Sequence, residues 1–231
     1  MASIHGVIDS EFASHRVLPT VCATALLVIL VVSPGRVSGQ TAGVITAKDV
    51  VVDQSKGLVP LGGERYMTVG GPQPLGGDTR SLIRFDVSGY SATVAVSEAV
   101  LYIYQVNAQS YQINVHRVTE PWDETTATWS TRDGVIPWLN PAGGGTFDSA
   151  AVIASFPANS IGWRAVPIEP TLVQNWLNGT EPNHGLVLDV PGDQIFLPVR
   201  FETREANNQP QLHIRYTVVS PDSSGAGFKH R

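Results

Sequence analysis

The sequence predicts an all-β fold, an antiparallel β-sandwich of the jelly-roll kind with one short helix near 170–178. Between residues 80 and 129, three short runs rich in β-branched and aromatic residues are separated by Ser, Gly, Asn or Pro, as successive antiparallel strands are. Within these runs apolar and polar side chains alternate at period two, so each strand has one face to bury. A single later segment, opened by Glu169-Pro170, places its apolar residues at helical spacing instead.

At the start, residues 17–32 form an almost unbroken apolar run of about sixteen residues, short of the roughly twenty that a spanning helix needs. The small residues Val37-Ser38-Gly39 precede Gln40, so 1–39 reads as a signal peptide cleaved after Gly39. The leader ahead of the run carries Asp9 and Glu11 against Arg16, which makes a retained signal anchor the alternative. The only cysteine, Cys22, lies within this run. Residues 40–219 then read as one secreted domain, large enough to bury a core without disulfides, followed by a disordered polar tail at 220–231.

Composition supports a folded chain: 42% of residues are hydrophobic and 15% charged, and the formal charge is −5. Loss of 1–39 removes two arginines and two carboxylates and leaves that charge unchanged. A weakly acidic chain without basic runs excludes nucleic acid and anionic lipid as principal partners. It also disfavours a polyanionic glycan unless the basic residues cluster.

The first strand falls at 44–53 and a short second one at 65–69, joined by a loop with Gly57, Pro60, Gly62 and Gly63. The glycines of 70–77 supply turns and no phosphate cradle, because neither a helix nor a P-loop lysine follows. In the central runs Ile83, Phe85 and Val87 face inward, as do Ala99, Leu101, Ile103, Ile113 and Val115. Tyr102 and Tyr104 face outward or lie under a loop, and Gln112, Asn114 and His116 face outward. Residues 130–149 are loop, either functional or packed by Trp138. Strands follow at 150–156 and 162–168. In the helix Leu172, Val173, Trp176 and Leu177 share one face that plugs an end of the sandwich, and Gly179 ends it. The last strands are at 186–190, 195–203 and 211–218.

Arg80-Ser-Leu-Ile-Arg-Phe-Asp-Val, Ser97-Glu-Ala-Val-Leu-Tyr-Ile-Tyr and Trp122-Asp-Glu-Thr-Thr-Ala-Thr-Trp resemble the DNRLRE domain family, grouped with family 96 of the carbohydrate-binding modules. Val173-Gln-Asn-Trp-Leu-Asn-Gly, Asn183-His-Gly-Leu, Phe201-Glu-Thr-Arg-Glu and Gln209-Pro-Gln-Leu-His-Ile-Arg-Tyr fit it too, so the resemblance spans about residues 47–218. It implies a non-catalytic β-sandwich of extracellular proteins, with alginate-type acidic polysaccharide as the ligand class.

The residues themselves offer little catalytic chemistry. Gly-x-Ser-x-Gly, Ser-x-x-Lys and His-Glu-x-x-His are absent. Asp123 and Glu124 are adjacent on an extended segment and point apart, which is not the facing pair of a glycosidase. Glu124 reads as an acceptor of backbone hydrogen bonds, with Trp122 and Trp129 closing the sandwich edge.

Two sets of residues suit a sugar. If neighbouring strands pair in order, Arg80 and Arg84 flank Tyr102, Tyr104, Asn114 and His116, combining stacking rings with planar donors. The edge of the first strand offers Lys48, Lys56, Arg65 and Tyr66. The structural alternative for the first set is Arg84 paired with Asp86 or Glu98, and the tyrosines covered by the long loop. No cofactor is expected beyond a structural calcium at Asp49 and Asp53. Asn178-Gly179-Thr180 is a glycosylation sequon. The expected partner is a polysaccharide bound by a monomer. An extracellular structural or adhesion module that docks protein is the alternative.

Overall fold

A computed structural model of the chain describes residues 40–71, 77–90, 93–192 and 197–218, with backbone alone for 44–47. The expected leader with Cys22 and the expected tail lie outside the described residues. All described residues belong to one compact unit, 37–231.

Among the described residues ten strands and one α-helix follow in order: β1 (Gln40–Asp53), β2 (Tyr66–Val69), β3 (Thr79–Phe85), β4 (Val94–Gln105), β5 (Gln112–Arg117), β6 (Ala154–Pro157), β7 (Gly162–Ile168), α1 (Pro170–Asn178), β8 (Leu186–Asp189), β9 (Val199–Glu202) and β10 (Gln211–Val218). They make two antiparallel sheets, as an all-β sandwich requires. In the first sheet β7 pairs β4, β4 pairs β10 and β10 pairs the first half of β1. There β9 pairs β2 and meets the end of β4 at Gln105–Phe201. The second sheet runs from the latter half of β1 through β3, β8 and β5 to β6. A register shift between Thr46 and Lys48 lets β1 serve both sheets.

The period-two pattern explains what lies between the sheets. Ile83, Phe85, Ala99, Leu101, Ile103, Ile113 and Val115 are buried there, as expected, together with Leu186, Leu188, Phe201, Leu212 and Ile214. Full burial of each large side chain contributes about 1.5–3 kcal/mol. Helix α1 closes one end. Pro170 opens it, Val173 and Trp176 enter the core, and Gly179 ends it in the left-handed region at φ 69°. Gln174 also accepts the Val96 amide at 2.8 Å and donates to the Val94 carbonyl at 3.1 Å, fixing the start of β4.

The expectation that consecutive strands pair in order is overturned. β3, β4 and β5 alternate between the sheets, and β8 lies between β3 and β5. The strand expected at 150–156 begins only at Ala154, because Asp148 turns the chain by accepting the Ala150 amide from its side chain and the Ala151 amide from its carbonyl.

Gly185 precedes β8 at φ 90°, and a Cβ there would stand 2.2 Å from the Ile83 carbonyl oxygen. Both the backbone conformation and the close approach to β3 exclude a side chain. Gly185→Ala is expected to destabilise the domain by at least about 2 kcal/mol in urea unfolding. A stability equal to wild type would contradict this packing.

Candidate functional site

The two outer faces of the sandwich differ, and the difference locates the site. The outer face of the second sheet carries Val50, Val52, Leu82 and Val187, over which the segment 118–149 folds to form a second apolar core with Val118, Trp122, Ala127, Trp129 and Trp138. Each of these three indoles is buried and donates to a carbonyl: Trp122 to His184 at 2.8 Å, Trp129 to Ala142 at 2.8 Å, and Trp138 to Thr128 at 3.0 Å. The long loop is thus packed by Trp138, but Trp122 and Trp129 sit under it rather than at the sandwich edge.

Glu124 accepts the Asp49 amide at 3.0 Å, the expected role, and pairs with Arg204 at 2.7 Å. Asp123 faces solvent, where the Thr125 and Thr126 hydroxyls hold its carboxyl below the usual range. The two carboxylates point apart.

This closure decides where most of the expected sugar-binding residues lie. Arg80 is held between Asp78 and Asp189, each at 2.8 Å, and reaches the Gly143 carbonyl at 3.3 Å. Its guanidinium lies over Trp129 and Phe147. His116 is buried, stacks on Phe147 with ring centroids 4.9 Å apart, and bonds the Ala151 carbonyl at 3.1 Å. Its expected outward position is correct for the strand, but the loop covers it. Lys48 donates to the Trp122 carbonyl and lies 3.9 Å over that ring. Burial, with Arg84 close by, lowers its pKa to about 8. Asn114 is half-buried opposite Asp189 and Ser155. Arg84 lines a hollow of about 270 Å³ with Asp86, Trp176 and Asn183. Glu98, its suggested partner, pairs with Arg215 instead.

Tyr102 and Tyr104 stand on the other sheet. The single groove expected from Arg80, Arg84, Tyr102, Tyr104, Asn114 and His116 does not form, because β4 belongs to the first sheet while β3 and β5 belong to the second.

The outer face of the first sheet has no such cover among the described residues. It presents Tyr104 against Trp163, with centroids 5.6 Å apart and rings at 83°, and Tyr102 against His213 at 4.6 Å. Further along the same face β2 and β9 present Tyr66, Thr68 and Arg200. Two adjoining depressions there share Tyr66 and Arg200. One, of about 380 Å³, is completed by Val106, Asn107, Gln109, Leu197 and Pro198. The other, of about 350 Å³, is lined by Asp53, Lys56 and Glu64 among others. Among the described residues no carboxylate pairs with Arg200, and Arg65 lies 5.9 Å from the Tyr66 ring.

Sequence reasoning missed Trp163 and Arg200. Trp163 was legible, since Val166 and Ile168 face inward on β7 and parity turns Trp163 outward. Arg200 was not, because nothing in the sequence says that β9 aligns with β2.

Asp49 is buried and accepts the Arg204 amide at 3.0 Å, while Asp53 caps a short turn through Ser55. No group of three or more metal-ligating side chains occurs among the described residues. Asn178 is exposed at the last position of α1 and accepts from Gln174 at 2.9 Å. No helix among them is long and apolar enough to cross a membrane.

The geometry is that of a two-sheet sandwich with one outer face sealed by a loop and the other lined by aromatic rings and amides. The family model of carbohydrate-binding module family 96 matches residues 40–216, and the chain belongs to that family. No curated protein matches it at a significant level.

Proposed function

We propose that the protein is a secreted, monomeric, non-catalytic module that binds an extracellular or cell-wall polysaccharide of uronate type, alginate-like, in the depression at Tyr66 and Arg200. The observation that carries this reading is the lining of the larger depression: one exposed guanidinium without an ion pair among the described residues, two amides, one phenol ring and no carboxylate. A guanidinium matches a carboxylate in planar, bidentate fashion, and the Gln109 amide and Tyr66 phenol serve the hydroxyls, while Asn107 donates to the Pro198 carbonyl and accepts the Arg200 amide, fixing the wall of the depression. Lys56 and Arg65 lie nearby, but the adjoining depression that Lys56 lines also holds Asp53 and Glu64, on a chain whose net charge is −5.

Long-range attraction to a polyanion is therefore absent, and affinity rests on local contacts that salt screens. The outward turn of Asp123, away from Glu124, supports binding without hydrolysis. The reading invokes no cofactor.

Affinity electrophoresis tests it. Alginate or polygalacturonate in the gel is expected to retard the protein, and Arg200→Ala to weaken that retardation about tenfold, the worth of one charge-assisted contact. Incubation with either polymer is expected to yield neither new reducing ends nor unsaturated products. Equal mobility with and without both polymers would reject the reading.

A further inference from the structure

We infer that the same sheet carries a second sugar site, separate from the Arg200 depression, where Trp163, held edge-on by Tyr104, stacks against neutral β-linked pyranose chains. The inference rests on the carbohydrate-binding capacity of the family and not on the uronate reading above.

Trp163 is 46% exposed, whereas Trp122, Trp129, Trp138 and Trp176 are each at most 7% exposed. An indole on an edge strand, half in water, contributes nothing to the core that a smaller β-former would not. Its position is nonetheless fixed, since Tyr104 meets it edge-on.

The register extends this pair into a strip. Tyr104 stands opposite Trp163, Tyr102 opposite Ala165 and Val100 opposite Pro167. On the other flank His213 packs on Tyr102 and is held by Gln211 at 2.7 Å. A Cβ at Gly43 would come within 3.3 Å of the His213 ring, so the glycine leaves room for the imidazole beside the strand.

Charge selects the occupant. None of Trp163, Tyr104, Tyr102, Ala165, Val100 and Pro167 carries a formal charge. Arg164 turns away to donate to the Pro157 carbonyl at 2.7 Å, and Arg215 is paired with Glu98 at 3.2 Å. A uronate carboxylate gains nothing on such a strip. The C–H face of an equatorially linked neutral pyranose fits it, because it removes apolar ring surface from water on both sides. Small residues at Ala165 and Pro167 keep the path level beside the rings. β7 has β4 as its only named strand partner among the described residues, so the strip is open along that edge for a chain to continue.

The test is titration with cellohexaose and mannohexaose, followed by tryptophan emission and by calorimetry. Four indoles are buried, so a change in emission reports Trp163. Quenching or a blue shift is expected, and Trp163→Ala is expected to weaken neutral-oligosaccharide binding at least tenfold while leaving retardation by alginate intact. Arg200→Ala is expected to do the reverse. Tyr104→Ala provides a second variant with the same expected loss, while Tyr104→Phe keeps the ring and the affinity. Flat emission and heat with both hexaoses up to millimolar concentration would overturn the inference. So would wild-type binding by Trp163→Ala and Tyr104→Ala, or loss of neutral binding in Arg200→Ala, which would make the two sites one.

Discussion

Arg80→Ala is expected to lose about 3–5 kcal/mol of stability, the cost of leaving buried charges without their partner. Asp189 is buried and Asp78 largely so, and Arg80 neutralises both from one side chain. The same guanidinium reaches the Gly143 carbonyl and faces the Trp129 and Phe147 rings, so it ties the second sheet to the loop that covers it. Its removal unseats the loop as well as the ion pairs. Urea unfolding would show the lower midpoint, and the emission of Trp129 would shift to the red as the loop opens before the sandwich melts. Arg80→Lys keeps a charge but lacks the fork, so it is expected to recover only part of the loss. An Arg80→Ala midpoint within error of wild type would show that the residue is not this tie.

Stability is expected to fall as pH rises from about 4 to about 7, and Asp49→Asn to remove much of that fall. Burial pushes the Asp49 carboxyl from 3.8 up to about 7, with Glu205 and Glu124 adding to the rise and the Arg204 amide opposing it. Its folded pKa exceeds its unfolded one, so the folded state holds a proton that the unfolded state has released across that window. The contribution is complete below the unfolded pKa and is lost as pH climbs through the folded one. Three units at about 1.4 kcal/mol each give on the order of 4 kcal/mol.

Asp78, raised to about 6 by burial against the opposing pull of Arg80, acts in the same direction. Lys48, lowered to about 8, acts above that pH with the opposite sign, because the unfolded lysine then holds the extra proton and stability recovers as pH climbs further. A minimum therefore falls near pH 7–8. Asp86, Asp123 and Asp133 are held below the carboxylate range by hydrogen bonds, so stability also declines in strong acid. Urea midpoints at pH 5 and pH 8 decide: wild type is expected to be firmer at pH 5, and Asp49→Asn to keep only the smaller fall that Asp78 contributes. A wild type firmer at pH 8 would reverse the assignment.

Strand identity was legible because it is a local property. Residues 211–218 form β10 and 170–178 form α1 as expected, since alternation and helical spacing are set by neighbours along the chain. The inward residues of β3, β4 and β5 were legible for the same reason. Strand limits at 150–156 shifted because Asp148 makes a side-chain turn that competes with the ladder.

The expected binding set fared differently. Tyr102 and Tyr104 were rightly turned out of the core, yet Arg80 and His116 also point away from it and are covered. Period two separates the two faces of a strand but does not say which outward face meets water. Glu124 was legible as an acceptor of backbone hydrogen bonds, though its tie to Arg204 spans a distance in sequence that no pattern reports.

By itself, then, the sequence determined an all-β chain, its helix, its inward side chains and its likeness to family 96, because each follows from residue spacing and from motifs in order. Only the tertiary structure decided that β4 leaves its neighbours for the opposite sheet, that 118–149 folds over one outer face, and that Tyr66, Arg200, Tyr104 and Trp163 share the other. Those outcomes depend on which distant apolar surfaces cover one another, a choice made between segments remote in the chain and written in none of them singly.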